Sequence, residues 1–271
     1  MASHGGLLTA QSRTSRLTAP FIDELCNVVI DYEFQREQLR RQAAAAGEEG
    51  RVILLQAARS DAGYRECAWD YLVYLGEGRL VPVLLDVINS ETEPPAIRVK
   101  AAAKLAGLDP EGAVPRLEIF LGTEDPEIQR VAIVGLGQTR HVRAKQVLRE
   151  KLEQTASDDR SSREVLEREY WLVLALGKQG DPADVPLLLK VLKNNGVSGT
   201  TRYRVALAMV DIGTRESLAN VAGVIETMPS PLRSSAILEV LSLLRDQVKK
   251  SEDASLTSAL NETIDAVEKL K

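Results

Sequence analysis

Hydrophobic positions recur with a helical period along most of this chain. The clearest stretch runs from Asp125 to Leu152 and reads DPEIQRVAIVGLGQTRHVRAKQVLREKL. Its apolar residues lie three and four positions apart in two segments, which the polar residues QTRH separate. This pattern predicts two amphipathic helices packed against each other. Looser copies on both sides of it predict a stack of such helix pairs.

A hydrophobic residue followed by glycine closes the first helix of each predicted pair. These glycines are Gly76, Gly107, Gly137, Gly177 and Gly213, separated by 31, 30, 40 and 36 residues. Periods in this range indicate a helical repeat protein. Glycine just beyond a helix adopts a left-handed conformation without a Cβ clash, so we expect each first helix to end at its glycine.

A Val-Pro dipeptide recurs in the second helices, at Val81-Pro82, Val114-Pro115 and Val185-Pro186. Proline near a helix start costs little, because the first N–H groups of a helix have no partner within it. We therefore expect the second helices to begin near these dipeptides. Asp125-Pro126 and Asp181-Pro182 each combine a capping carboxylate with a proline and predict further helix starts.

The predicted fold class is all-α, a right-handed α-solenoid of about five to six helix pairs. We divide the chain into a flexible tail (1–19), an N-terminal helical cap (20–60), the repeat array (61–246) and a C-terminal capping helix (247–271). Polar loops at 154–163 and 194–201 interrupt the repeat, and loops of this kind can carry function.

Composition agrees with a helical protein of aliphatic core. Hydrophobic residues make up 44% of the chain but aromatic residues only 4%, and the net charge is −5. That charge gives no general attraction to nucleic acid or to anionic membranes. No apolar run reaches the roughly 18 residues of a membrane span, and no secretory signal is evident. We expect a cytoplasmic protein. Cys26 and Cys67 both lie in helical patterns, and we expect them to be small buried apolar side chains.

The repeat pattern resembles a known family. The pattern D-x-x-[VI]-[RQ]-x-x-A-x-x-x-L-G, followed by G-D-P-x-x-V-P-x-L-x-x-x-L, is similar to the bacterial HEAT-like repeat, also found in phycobilin-lyase-like proteins. The segments DPEIQRVAIVGLG and LGKQGDPADVPLLLKVLK carry the resemblance, which covers roughly residues 61–246. The resemblance implies an α-solenoid, a fold that serves scaffolds, a few lyases and nucleic-acid enzymes.

Candidate chemistry is sparse. The histidines are His4 in the tail and His141 beside a turn, and no His/Cys/Asp/Glu group has the spacing of a metal site. Gly135-Leu136-Gly137 lacks the third glycine of a phosphate-binding loop and follows no predicted strand. We predict no catalytic residue, cofactor or metal ion.

The predicted function is a non-enzymatic scaffold that binds another protein, with an acidic surface, on a concave face lined by the second helices. Five basic residues are predicted contacts, and Trp171 is predicted to be an aromatic anchor. The basic residues are Arg116, Arg143, Arg149, Lys190 and Lys193.

Two alternatives stay open. The resemblance allows a phycobilin-lyase-like or chaperone-like helper enzyme. The local run of arginines allows nucleic-acid binding, which needs a continuous stripe of positive charge. Aligning the second helices on their Val-Pro register gives the column Asp86, Ile119, Arg149 and Lys190, in which the sign of the charge is not kept.

Overall fold

The computed structural model describes residues 33–59, 63–155, 162–193 and 196–270. Within these ranges the chain forms 14 α-helices and one short 3-10 helix, and no strand. The helices are α1 (Glu33–Ala45), α2 (Gly47–Ala57), α3 (Arg65–Tyr74), α4 (Leu80–Asn89), α5 (Pro95–Leu105), α6 (Pro110–Leu121), α7 (Pro126–Gln138), α8 (Val142–Thr155), α9 (Arg163–Gln179), α10 (Val185–Lys193), α11 (Gly199–Ile212), α12 (Arg215–Glu226), α13 (Ser230–Lys250) and α14 (Ala254–Glu268). The predicted tail and most of loop 154–163 lie outside the described residues.

The chain divides into two compact units, one ending at Asp109 and the other beginning at Pro110. In the first unit α3 packs on α5, and α4 packs on both. In the second unit the first helices pack side by side in the order α7, α9, α11 and α13, and among the second helices α6 packs on α8 and α12 on α14. This packing of alternate helices confirms the predicted all-α solenoid. Its handedness and the domain limits proposed above stay predictions.

The five glycines that were predicted to close the first helices differ in their positions and conformations. Gly76 and Gly213 have φ of 63° and 67°, the predicted left-handed conformation. Gly137 and Gly177 instead lie inside α7 and α9, which continue beyond them. Gly107, after α5, also lacks a positive φ, so the prediction of a left-handed end is wrong for these three.

Close contact between helices explains the internal glycines. A Cβ added to Gly137 would lie 2.8 Å from both Cα and Cβ of Ala175 in α9. One added to Gly177 would lie 2.7 Å from Cβ of Ala208 in α11. Side chains never approach backbone so closely, so the spacing of α7, α9 and α11 requires a hydrogen atom at both positions.

The predicted capping residues occupy helix starts. The Asp125 carboxylate accepts hydrogen bonds from the backbone N–H groups of Glu127 (2.9 Å) and Ile128 (3.3 Å) at the start of α7. Asp181 caps the 3-10 helix Pro182–Asp184, which leads directly into α10. Pro115 departs from expectation, because α6 begins at Pro110 and places this proline inside the helix.

Gln179 joins two neighbouring repeats at the end of their first helices. Its buried side-chain amide donates hydrogen bonds to the backbone carbonyls of Leu136 (2.7 Å) and Thr139. These carbonyls lie at the C-terminal end of α7, where a helix leaves its last carbonyls without partners. The end of α9 thus supplies the donors that α7 lacks.

The first unit has a buried ring and a paired carboxylate. Trp69 is fully buried and donates from Nε1 to the Ala58 carbonyl at 3.1 Å, as expected for a ring that fills a joint between helices.

The hydrogen bond from Arg79, supported by Arg51, lowers the pKa of Glu77 to about 2 despite burial. Cys67 is disulfide-bonded, so its interpretation as a plain apolar group is wrong; Cys26 lies outside the described residues.

Replacing Leu188 with alanine tests the buried face of α10. Leu188 is 0% exposed, so Leu188→Ala should lower the free energy of unfolding by about 2–5 kcal/mol. Chemical denaturation measures this change. A loss close to zero would contradict the packing of α10 described here.

A pair of glycine substitutions tests the contact between first helices. Gly137→Ala should lower the free energy of unfolding by about 1–3 kcal/mol, because the new methyl group meets the backbone of Ala175. Gly223 lies inside α12 with nothing within 4 Å of an added Cβ. Gly223→Ala should therefore raise the free energy of unfolding by about 0.5–1 kcal/mol through helix propensity. Equal stabilisation by both substitutions in urea denaturation would exclude a steric role for Gly137.

Candidate functional site

The five predicted basic contacts lie on three second helices of the second unit. Arg116 is on α6, Arg143 and Arg149 are on α8, and Lys190 and Lys193 are on α10. The structure thus places all five on the row of second helices, as predicted. Their surroundings differ, however, and the differences decide which of them could contact another molecule.

Arg143 forms an ion pair with the preceding second helix. Its Nε lies 2.9 Å and its Nη2 3.1 Å from the two carboxylate oxygens of Glu118 on α6. This hydrogen bond raises the pKa of Arg143. Both side chains are partly open to water, where such pairs add little to stability. The charge of Arg143 is nonetheless compensated by Glu118 of the same chain.

Arg149 faces a buried carboxylate. Its Nε donates to Oδ1 of Asp184, and its Nη2 lies 3.0 Å from Oδ2 of Asp181. Asp184 is 0% exposed, whereas the Arg149 side chain is 33% exposed. Lys145, one turn earlier on α8, donates to Asp181 at 3.1 Å. These four side chains, called the α8–α10 charge cluster below, connect α8 to the turn that precedes α10.

The two carboxyl groups of this cluster differ in their pKa. The backbone N–H of Ala183 and the Lys145 ammonium lower the pKa of Asp181. Burial raises the pKa of Asp184, and the hydrogen bond from Arg149 offsets this only in part. The difference follows from hydrogen bonding: Asp181 accepts several donors, while Oδ2 of Asp184 has no partner among the described residues.

Lys190 and Lys193 are exposed on α10 and have no carboxylate partner among the described residues. They lie three positions apart, so they share one side of the helix. Arg116 is half-buried and donates to the Gly112 carbonyl of its own helix at 2.5 Å, so its guanidinium group is held against α6. Of the five predicted contacts, Arg143 and the two lysines are exposed, and of these only the lysines have no carboxylate partner among the described residues.

Exposed aliphatic side chains accompany these charges. Ile119 on α6 is 73% exposed and Val142 at the start of α8 is 80% exposed. They are the chain neighbours of Glu118 and Arg143, the ion pair between the same two helices. Single exposed aliphatic residues are common on protein surfaces. Their occurrence on the row of second helices adds apolar area to the basic surface.

Trp171 lies elsewhere, on the first helix α9. It is half-buried and lines a cavity of about 140 Å³ between α7 and α9, together with Arg130, Ile133, Arg168 and other residues. The Arg130 guanidinium stacks on the indole ring at 5.2 Å from its centroid. One approach to the ring is therefore already occupied by the chain itself.

This stacking continues across the first helices. The ring of Tyr170 meets that of Trp171 edge to face at 5.0 Å, and Arg204 on α11 stacks on Tyr170 at 4.8 Å. Arg204 also lies over Tyr203, whose hydroxyl donates to Glu239 on α13. The row links α7, α9, α11 and α13, which favours a structural role for these rings.

Sequence reasoning missed the carboxylates that compensate the basic residues. Their positions follow the repeat: Lys145 and Asp181 are 36 residues apart, and Arg149 and Asp184 are 35 apart. In the first unit Lys100 lies 34 residues from its partner Glu66. Opposite charges separated by about one repeat length are the pattern that could have revealed these pairs.

The candidate catalytic groups remain isolated. His141 lies 3.1 Å from Glu111 on α6 and accepts a hydrogen bond from the backbone N–H of Arg143. Among the described residues no group of three His, Cys, Asp or Glu side chains could hold a metal ion. The helices of the described ranges are also too short or too polar to cross a membrane.

Substituting Arg149 tests whether it serves the fold. Arg149→Met should lower the free energy of unfolding by about 3 kcal/mol, because it leaves Asp184 buried without its cation. That value is at the lower end for a buried pair, since Arg149 is one-third exposed. Arg143→Met is the control, and chemical denaturation should show no measurable change for it. Equal effects of the two substitutions would contradict a structural role for Arg149.

Comparison with known proteins identifies the repeat. The family model for HEAT repeats matches residues 81–167, from α4 to the start of α9. Human deoxyhypusine hydroxylase in complex with glycerol is a solved structure similar to this chain, at 16% identity and a TM-score of 0.34, covering 96% of this chain and 99% of that one. No curated protein matches the sequence. Residues 81–167 of this chain therefore match HEAT repeats, and they lie within an all-α solenoid.

Proposed function

We propose that this chain is a non-enzymatic scaffold that binds another protein through the second helices of its helical repeats. The partner presents an acidic segment with apolar side chains beside it. Lys190 and Lys193 on α10 contact the acidic groups, and Ile119 on α6 contributes apolar area. This surface is the row of second helices α6, α8 and α10.

One contrast on this surface carries the proposal. Arg143, Lys145 and Arg149 each have a carboxylate partner supplied by the chain. Lys190 and Lys193 are exposed and have none among the described residues. A carboxylate from another molecule gains most from cations that have no partner yet, so it would meet the lysines of α10 first.

The contact set is narrower than the sequence predicted. Arg149 serves the α8–α10 charge cluster, Arg143 pairs with Glu118, and Arg116 is held by its own helix. Trp171 lies on a first helix with Arg130 over its ring. We therefore propose Lys190 and Lys193 as the residues to test, and leave out the other four, whose side chains already have contacts within the chain.

Apolar contact accompanies charge in protein interfaces, whose centre excludes water. Ile119 shares its register position with Arg149 and Lys190, so it lies on the same side of the helix row as Lys190. Its exposure of 73% leaves most of the side chain available to a partner. Nucleic-acid binding requires a continuous stripe of positive charge. Because the arginines of α8 are paired with carboxylates of this chain, their charge does not contribute to such a stripe.

Charge reversal on α10 tests this surface. The double substitution Lys190→Glu and Lys193→Glu should abolish capture of partner proteins from an extract of the native host, as read by mass spectrometry. Both side chains are exposed, so the fold should be kept, which circular dichroism checks.

The matched control is Lys249→Glu with Lys269→Glu, which changes the net charge equally at exposed positions of α13 and after α14. Proteins captured by the wild type and the control, but lost from the α10 variant, would support the proposal. If all three capture the same proteins, α10 is not the binding surface.

A further inference from the structure

We propose that Asp184 is a proton-operated switch: when it takes up a proton, the Arg149 guanidinium is released to the surface of the second helices. The inference rests on the proposed function in one respect, since the surface whose charge changes is the proposed binding surface. The switch itself is a property of the α8–α10 charge cluster and can be tested without a partner.

The position of Asp184 makes its charge costly. The side chain is fully buried, only Oδ1 accepts a hydrogen bond from Arg149, and Oδ2 has no partner among the described residues. A buried carboxylate with one unsatisfied oxygen is stabilised by a proton at that oxygen. Protonation therefore removes a buried charge whose one hydrogen-bonded cation is Arg149.

Arg149 has a second partner ready. Its Nη2 lies 3.0 Å from Oδ2 of Asp181 but is buried and makes no hydrogen bond, while a third of the side chain as a whole is exposed. A neutral carboxyl group is a weaker acceptor than a carboxylate. Once Asp184 is protonated, Asp181 and water compete for the guanidinium, and both draw it away from the buried side of the cluster.

The charged groups that act on Asp184 are Arg149 and Lys145 on α8 and Asp181 in its own turn. Burial raises the pKa of Asp184 above its ordinary 3.8, whereas hydrogen bonds lower that of Asp181. As the pH falls, Asp184 therefore takes up its proton first, while Asp181 is still ionised. At a pH where Asp184 is protonated and Asp181 is still ionised, the net charge of the α8–α10 charge cluster is higher by one unit.

Protonation of Asp184 does not unfold the protein, because it favours the folded state. A carboxyl group whose pKa is higher in the folded than in the unfolded state binds its proton more tightly when folded. The contribution of Asp184 to stability is thus fully present below its unfolded pKa and is lost as the pH rises through its folded pKa. The protonation that releases Arg149 therefore increases the contribution of Asp184 to stability.

The surface effect follows from the repeat register. Arg149 lies between Ile119 and Lys190 in the column shared by the second helices. A released guanidinium adds a cation beside Lys190 on the row of α6, α8 and α10. An acidic segment bound there should be held more tightly when Asp184 is neutral.

NMR titration of the wild-type protein tests the switch directly. The carboxyl carbon of Asp184 should titrate with a midpoint above 3.8, and the Nε–H signal of Arg149 should shift with the same midpoint. In Asp184→Asn the Arg149 signal should already have its acidic position at pH 7. An Asp184 midpoint at or below 3.8, or an Arg149 signal that does not follow Asp184, would overturn the proposal.

A binding measurement at pH 7 separates the switch from the proposed function. Asp184→Asn should bind a hexaglutamate peptide about 1.5- to 5-fold more tightly than wild type, the gain that one exposed ion pair supplies. Asp246→Asn, the same charge change on α13, should bind it as wild type does. If the NMR titration succeeds but the peptide does not distinguish the variants, the switch stands and the proposed binding surface is wrong.

Discussion

The approach of α7, α9 and α11 to one another is the constraint on which the second unit depends. Gly137 meets Ala175, and Gly177 meets Ala208, at distances that leave no room for another carbon atom. Ala175 and Gly177 lie two positions apart, on opposite sides of α9, so this helix offers a small residue to each neighbour. These contacts set the distance between the first helices of neighbouring repeats.

Compensation of charge across the repeat is the second organising feature. Basic residues of α8 find their carboxylates on α6 and on the turn before α10. Most of these pairs are partly open to water and add little to stability. Asp184 differs because it is buried, and its arginine must be present for the charge to be tolerated. An arginine can therefore be prominent in the sequence and still belong to the fold.

The sequence predicted the architecture well because helical periodicity and capping are local. Asp125 caps α7 as expected, and the first and second helices alternate as the repeat pattern implies. The role of Gly137 could not be read locally, since glycine serves helix ends and close contacts equally well. The contact with Ala175 is 38 residues distant in the chain, and only the packed structure identifies it.

The candidate site was harder to predict for the same reason. Placement of the five basic residues on second helices followed from periodicity. Their partners did not, because a pair such as Arg149 and Asp184 depends on the relative register of two repeats. Lys190 and Lys193 are exposed and have no such partner within the described residues, which could be learned only from the packed repeats. Charge in a repeat protein has to be counted between repeats as well as along each helix.

The contact between Gly137 and Ala175 restricts the first position more strictly than the second. A Cβ at position 137 would lie 2.8 Å from the Cα of residue 175 as well as from its Cβ, so glycine at 175 would remove only one of the two close contacts. Related sequences should therefore keep glycine at the first position whatever small residue stands at the second. Each repeat is then fitted to its neighbour as one half of a pair, and an isolated repeat moved to another place in the array would bring only half of that fit.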